Sequence, residues 1–175
     1  VSAKKPKMME IGLGGSNKDK LVFAQKVLGK ELPVNDVFEA GSLVDIRGVT
    51  KGKGFQGTVK RYGVPIRQHK AEKTKRGIGT LGSWTPKRVQ HTVPQSGKMG
   101  FHLRTEYNKK IIKISSQPEE INSKGGIVGY GVVRNTYMMV YGSVAGSEKR
   151  EVVLTAPYRP NKTSKEVPEL THISK

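Results

Sequence analysis

The chain has 175 residues, with 32 Lys and Arg against 14 acidic residues, a formal net charge of +18 and a pI near 10.1. That length suits one ordinary domain, and a surplus of this size repels itself in a compact state, so the composition calls for a polyanionic partner. No apolar run approaches the roughly 20 residues of a membrane span, no basic amphipathic helix with a clean apolar face suggests a membrane-surface role, and the absence of cysteine excludes disulfides, Cys-ligated zinc and thiol catalysis.

The chain starts at Val1 with no apolar signal segment, which is expected of a fragment or a processed form. The spacing predicts a helix over residues 17–28: Asn17 can cap it, Leu21, Ala24 and Leu28 share a face, and Gly29 can end it, with Pro33 soon after. Leu43–Val49, rich in β-branched residues, predicts a strand. Residues 1–50 then form the first part of a barrel domain with a short helix.

The charge is concentrated beyond this point. Residues 51–110 carry 15 Lys and Arg and two acids, Glu72 and Glu106, a net +13, while the remaining 115 residues reach only +5. Apolar residues are scarcest in the same stretch, so by itself it cannot bury enough surface to offset the entropy of ordering. We assign 51–104 to a basic central extension. Its cations are Lys51, Lys53, Lys60, Arg61, Arg67, Lys70, Lys73, Lys75, Arg76, Lys87, Arg88, Lys98 and Arg104, with Lys109 just beyond. Phe55, Tyr62, Trp84 and Phe101 and the histidines His69, His91 and His102 are interleaved with them, and Gln56 sits in the same glycine-rich setting. Cations pair with phosphates and flat side chains stack on unpaired bases, so the combination suits a segment threaded through folded RNA.

After the extension, Ile111–Ile114, Ile127–Val133, Tyr137–Tyr141 and Glu151–Thr155 are strand candidates separated by Gly, Ser, Asn or Pro. Such spacing predicts the remaining strands of a small antiparallel barrel in 105–156, with at least one of Met138 and Met139 in the core. Residues 157–175, with three prolines, read as an extended C-terminal tail. The fold class expected is mainly β: a partial β-barrel, one short helix, and a long extended basic insert.

Other chemistries are weakly encoded. Gly52-Lys53-Gly54-Phe55-Gln56-Gly57 matches the G-x-G-x-x-G phosphate loop. A dinucleotide site needs an amphipathic helix straight after it, and Lys60-Arg61-Tyr62-Gly63-Val64-Pro65 promises none; a kinase needs further motifs that are absent. The four histidines lack zinc-helix spacing, no G-x-S-x-G frames a nucleophile, and Glu72 and Glu106 read as partners of neighbouring cations rather than an acid/base pair. No cofactor, metal, catalytic residue or small-molecule substrate is expected. Trp84, in Gly82-Ser83-Trp84-Thr85-Pro86, fits RNA packing or a local scaffold better than a core position.

Several runs taken together resemble a known family. Val49-Thr50-Lys51-Gly52-Lys53-Gly54-Phe55-Gln56-Gly57 and Val59-Lys60-Arg61-Tyr62-Gly63 are followed in order by Gly79-Thr80-Leu81-Gly82-Ser83-Trp84, Pro86-Lys87-Arg88-Val89 and Thr92-Val93-Pro94. Gly97-Lys98-Met99-Gly100-Phe101-His102, Arg104-Thr105-Glu106-Tyr107-Asn108-Lys109, Gly125-Gly126, Tyr130-Gly131 and Lys149-Arg150 continue the series. From about Ile11 onward the chain resembles the ribosomal protein L three family in its archaeal/eukaryotic form.

The resemblance implies a translation-factor-type β-barrel on the large ribosomal subunit, with an extension reaching through rRNA toward the peptidyl-transferase centre and a part in subunit assembly. It implies rRNA and neighbouring large-subunit proteins as partners, no membrane, and a cytoplasmic, ribosomal location. Family members are about twice as long, so early barrel strands are expected to be missing here. Thr85 stands where many relatives have a histidine that some modify. His91 stands where many carry a tryptophan. A free RNA chaperone or assembly factor is the alternative that composition alone leaves open.

Overall fold

The structure, a computed structural model, describes residues 5–162 and 166–174. It is mainly β, with two short α-helices where one was expected. Helix α1 spans Asn17–Val27 and its cap is Ser16, not Asn17. Ser16 is in extended conformation, and its hydroxyl accepts from the Asp19 N–H at 3.3 Å while donating to the Asp19 carboxylate at 2.6 Å. Leu21, Val22 and Phe23 are exposed and no residue of α1 is buried, so its apolar face packs into no core.

Strand β1 is Leu43–Val49, as expected. Strand β2, Phe55–Gln56, helix α2, Thr58–Tyr62, and strand β3, Gly97–Lys98, give regular structure to ends of the basic segment that had read as extended. A helix therefore does follow Gly57, contrary to expectation, but it has only five residues and no side-chain cap. Strand β4, Leu103–Ser115, is far longer than the four residues expected, because its β-favouring Thr105, Tyr107 and isoleucines extend the ladder backward. Strands β5, Tyr137–Val140, and β6, Val153–Thr155, complete the set, and 3-10 turns at Val34–Asp36 and Pro118–Glu120 were not foreseen. The hydrogen-bonded order is β5-β4-β1-β6, with β2-β3 as a separate pair; the described residues close no barrel.

Ile127–Val133 is not a strand. Gly126, Gly129 and Gly131 have positive φ, so the chain doubles back through a lone Ile127–Gly131 bridge. Asn122 clamps this turn, accepting from the Val133 N–H at 3.0 Å and donating to its carbonyl at 2.8 Å. Met138 and Met139 are half-buried rather than core. The buried apolar residues among those described are Val44, Ile46 and Ile111. The C-terminal segment carries no regular structure where it is described; residues 163–165 and 175 of the expected tail lie outside the described residues, as do 1–4.

The chain divides into two compact units, Val1–Asp45 with Tyr107–Ser143 and Thr155–Lys175, and Ile46–Glu106 with Val144–Leu154. In the first, β4 pairs antiparallel with β5, Ile111 opposite Val140 and Ile114 opposite Met138, with a register shift between Ile111 and Lys113. On its other side Ile111 exchanges backbone hydrogen bonds with Gly41 and Ser42 at 2.8 and 2.9 Å. Asp45, 2 % exposed, accepts from the backbone N–H groups of Asn108 and Tyr158. A buried carboxylate is tolerated here because both oxygens are hydrogen-bonded.

Candidate nucleic-acid interface

In the second unit, the two ends of the basic segment are zipped together. Thr50 N–H donates to the His102 carbonyl at 3.0 Å, Lys53 N–H to Met99 and Met99 N–H to Gly54 at 2.9 Å each, and Phe55 and Gln56 pair with Lys98 and Gly97. The Thr50 hydroxyl lies 3.3 Å from the His102 carbonyl and accepts from its N–H at 3.2 Å. The segment is thus a stem of two antiparallel arms carrying the long loop 57–96. The stem forms because Gly100 lets the arms touch: a Cβ there would overlap the Lys51 carbonyl oxygen.

Arg61 locks the next level. From α2 its guanidinium donates to the Gln95 carbonyl at 2.7 Å, crowds Gly97 and lies 5.0 Å from the Tyr62 ring centroid. The hydroxyl of Thr58 and the carbonyl of Arg76 are 3.4 Å apart, and Arg67 N–H donates to the Lys75 carbonyl at 3.0 Å, drawing residues 67–76 into turns. Lys87, at φ 62, closes a turn on the Trp84 carbonyl, and Thr85-Pro86 is cis.

The expected contact residues fall into distinct groups. Lys53, Lys60, Arg67, His69, Lys70, Lys73, Lys75, Arg76, Lys87, Arg88, His91, Lys98 and Arg104 are exposed. Phe55 is 76 % and Trp84 84 % exposed, so neither is held in a core. Leu81, Trp84 and Val89 line an open apolar hollow flanked by Lys87 and Arg88. Gln56 is half-buried, its amide donating to the Lys53 carbonyl. Arg61 and His102 are half-buried, Arg61 engaged in the stem through its side chain and His102 through its backbone. Lys109 belongs to the other unit and is half-buried.

Electrostatically the loop stands unopposed. Among the described residues, none of the cations from Lys53 to Arg88 forms an ion pair, and Glu72, expected to neutralise one, forms none either. Lys51 differs: its ammonium meets the Glu148 carboxylate at 3.0 Å. Glu148 is held below the usual carboxylate range first by a hydrogen bond from its own backbone and then by Lys51. Sequence reading missed this acid and the whole 144–154 segment as neighbours of the stem. Gly48 backs onto the Ala145 carbonyl and Gly146 onto the Val49 carbonyl, leaving no room for a side chain at either without a shift. No local pattern announces such a contact across about a hundred residues.

Among the described residues, no group of three or more potential metal ligands occurs and no helix is long and apolar enough to cross a membrane. The arrangement is an array of exposed cations and rings on a braced stem, suited to phosphates and unpaired bases.

The family model described as Ribosomal protein L3 matches residues 1–174. The large ribosomal subunit protein uL3 of Methanococcus vannielii is 51% identical over 178 residues, covering 100% of this chain and 53% of the relative. Those of Methanocaldococcus jannaschii and Methanobrevibacter smithii are 49% and 48% identical over 98% and 99% of this chain, and 52% and 53% of their own. The chain spans about half the length of these relatives.

Proposed function

The chain belongs to the ribosomal protein L3 family, and on that premise we propose that it serves as a non-enzymatic structural constituent of the large ribosomal subunit. It binds rRNA through the braced loop, supports subunit assembly, and reaches toward the peptidyl-transferase centre; it sits among neighbouring large-subunit proteins in the cytoplasm. The observation that carries this reading is the run of cations from Lys53 to Arg88, all but Arg61 exposed, with no intramolecular acid partner among the described residues. Leaving that charge unneutralised costs self-repulsion, which a phosphate lattice removes.

On this reading 51–104 is the RNA-penetrating extension, residues 1–50 and 105–156 supply strands of a translation-factor-type barrel, and 157–175 is a tail. Lys53, Lys60, Arg67, Lys70, Lys73, Lys75, Arg76, Lys87, Arg88, Lys98 and Arg104 meet phosphates. Phe55, His69, Trp84 and His91 meet bases or sugar edges. Arg61, Gln56 and His102 hold the stem, Lys51 lies at its margin, and Lys109, in the other unit, is a separate RNA contact. The relatives' names lend nothing to a free RNA chaperone.

Sucrose-gradient sedimentation of cell extract after a high-salt wash tests the proposal. Retention with the large subunit near one copy per particle is expected. Release by salt, or migration only with precursor particles, overturns it.

A further inference from the structure

Where the stem begins, three stretches of the second unit meet: residues 48–53, 98–102 and 144–150. Gly100 presses on the Lys51 carbonyl, Gly48 on Ala145 and Gly146 on the Val49 carbonyl, so backbone packs on backbone with little freedom to shift. From this braced base the Phe101 ring projects with 56 % of its surface exposed. The Lys98 ammonium and the Arg150 guanidinium each lie 5.8 Å from its ring centroid. Lys98 is a close neighbour in sequence, whereas Arg150 comes from the 144–154 segment.

Two backbone observations mark the spot. Phe101 has φ 55 and Lys149 has φ 66, a left-handed conformation that costs a residue with a Cβ and is uncommon for an aromatic. Strain of this kind persists only where the surroundings over-determine it. An exposed phenylalanine forgoes the gain of burial, and its ring is open to a partner. The one nearby carboxylate whose partner is seen, Glu148, is already met by Lys51.

We propose that Phe101, flanked by Lys98 and Arg150, is a docking site for one unpaired RNA nucleotide, separate from the loop 57–96. The base packs on the exposed part of the ring and the two cations hold the adjoining phosphates. Arg150 therefore extends the RNA-binding surface beyond the basic segment. The site rests on the RNA-binding reading above and deepens it, since it names the form of RNA bound at the stem base.

The test uses the full chain and two large-subunit rRNA fragments, one with unpaired nucleotides and one fully paired. Phe101→Leu should weaken binding to the first about tenfold or more, leave the second within about twofold, and keep the salt slope unchanged. Phe101→Tyr should restore the loss. Arg150→Gln, a change at an exposed side chain, should shrink the salt slope by about 0.7. If the wild-type chain binds neither RNA, the RNA-binding reading itself fails. If the wild type binds with a steep salt slope while Phe101→Leu and Arg150→Gln leave affinity and slope unchanged, the site alone is overturned. Should Phe101→Leu lose its far-ultraviolet circular dichroism, Arg150→Gln and Phe101→Tyr decide the matter: an unaltered slope for the first, or a tenfold loss for the folded second, overturns the site.

Discussion

The carboxylate of Asp45 accepts a hydrogen bond from the backbone N–H of Asn108 at 2.8 Å, and its other oxygen accepts from Tyr158 at 2.9 Å. One buried side chain on β1 thereby holds β4 and the C-terminal segment. Asn108 has φ 55, which turns its N–H out of the regular ladder and makes a side-chain acceptor necessary. Asp45→Ala leaves two backbone donors without that acceptor and should cost about 2–6 kcal/mol, from about 1–3 kcal/mol per unsatisfied group. Urea unfolding measures it, and a loss below about 1 kcal/mol would show that water replaces the carboxylate.

Two glycines of the stem should respond differently to alanine. Gly100→Ala places a methyl group on the Lys51 carbonyl oxygen at φ +73, so the arms must separate. Gly54 also has positive φ, +67, but meets nothing within 4 Å, so Gly54→Ala should cost only the conformational penalty of about 1–2 kcal/mol. Denaturation midpoints should place Gly100→Ala well below Gly54→Ala.

The Arg61 guanidinium donates to the Gln95 carbonyl at 2.7 Å, and on the proposed reading it braces the loop rather than meeting phosphate. Arg61→Ala should speed hydrogen exchange at residues 58–63 and 93–97 while lowering the salt slope of RNA binding by much less than one contact. Equal protection in variant and wild type would return Arg61 to the phosphate-contacting group.

RNA affinity should fall steeply with salt. If about ten cations of the 51–104 extension meet phosphate, the logarithmic slope is on the order of −7, from about 0.7 per contact for single strands. A slope near −2 would mean that the loop charge stays mostly solvated.

Acid and alkali should act on different clusters. The Glu148 carboxyl is depressed by its own backbone hydrogen bond and by Lys51, so its contribution is present above the ordinary carboxylate range and is lost as pH falls through its lowered pKa. Lys51→Gln should return only part of the shift, read by NMR titration. At the other end, Glu120 accepts from Lys113 at 2.6 Å and from Tyr137 at 2.7 Å. Hydrogen bonding to Glu120 chiefly raises Lys113, and partial burial followed by the Glu120 hydrogen bond raises Tyr137. Their stabilisation is complete below pH about 10 and fades as pH climbs through the raised values. Glu120→Gln should flatten that alkaline loss.

The sequence by itself determined the features that short-range physics controls. Leu43–Val49 was legible as a strand because β-branched residues dominate it, and Gly29 as a helix stop because its φ of +73 suits glycine. The concentration of charge between Lys51 and Lys110 is a property of composition, and the ordered motifs carried the family. Only the tertiary structure decided which distant residues meet. Phe55 finds Lys98 across the loop, Arg150 comes beside Phe101, and Asp45 receives Tyr158 from more than a hundred residues away. Ile127–Val133 failed as a strand for a related reason. Its apolar residues satisfy strand propensity, but three glycines in left-handed conformation fold the backbone onto itself before a partner can pair. Propensity acts within a few residues, whereas pairing depends on the path of the whole chain.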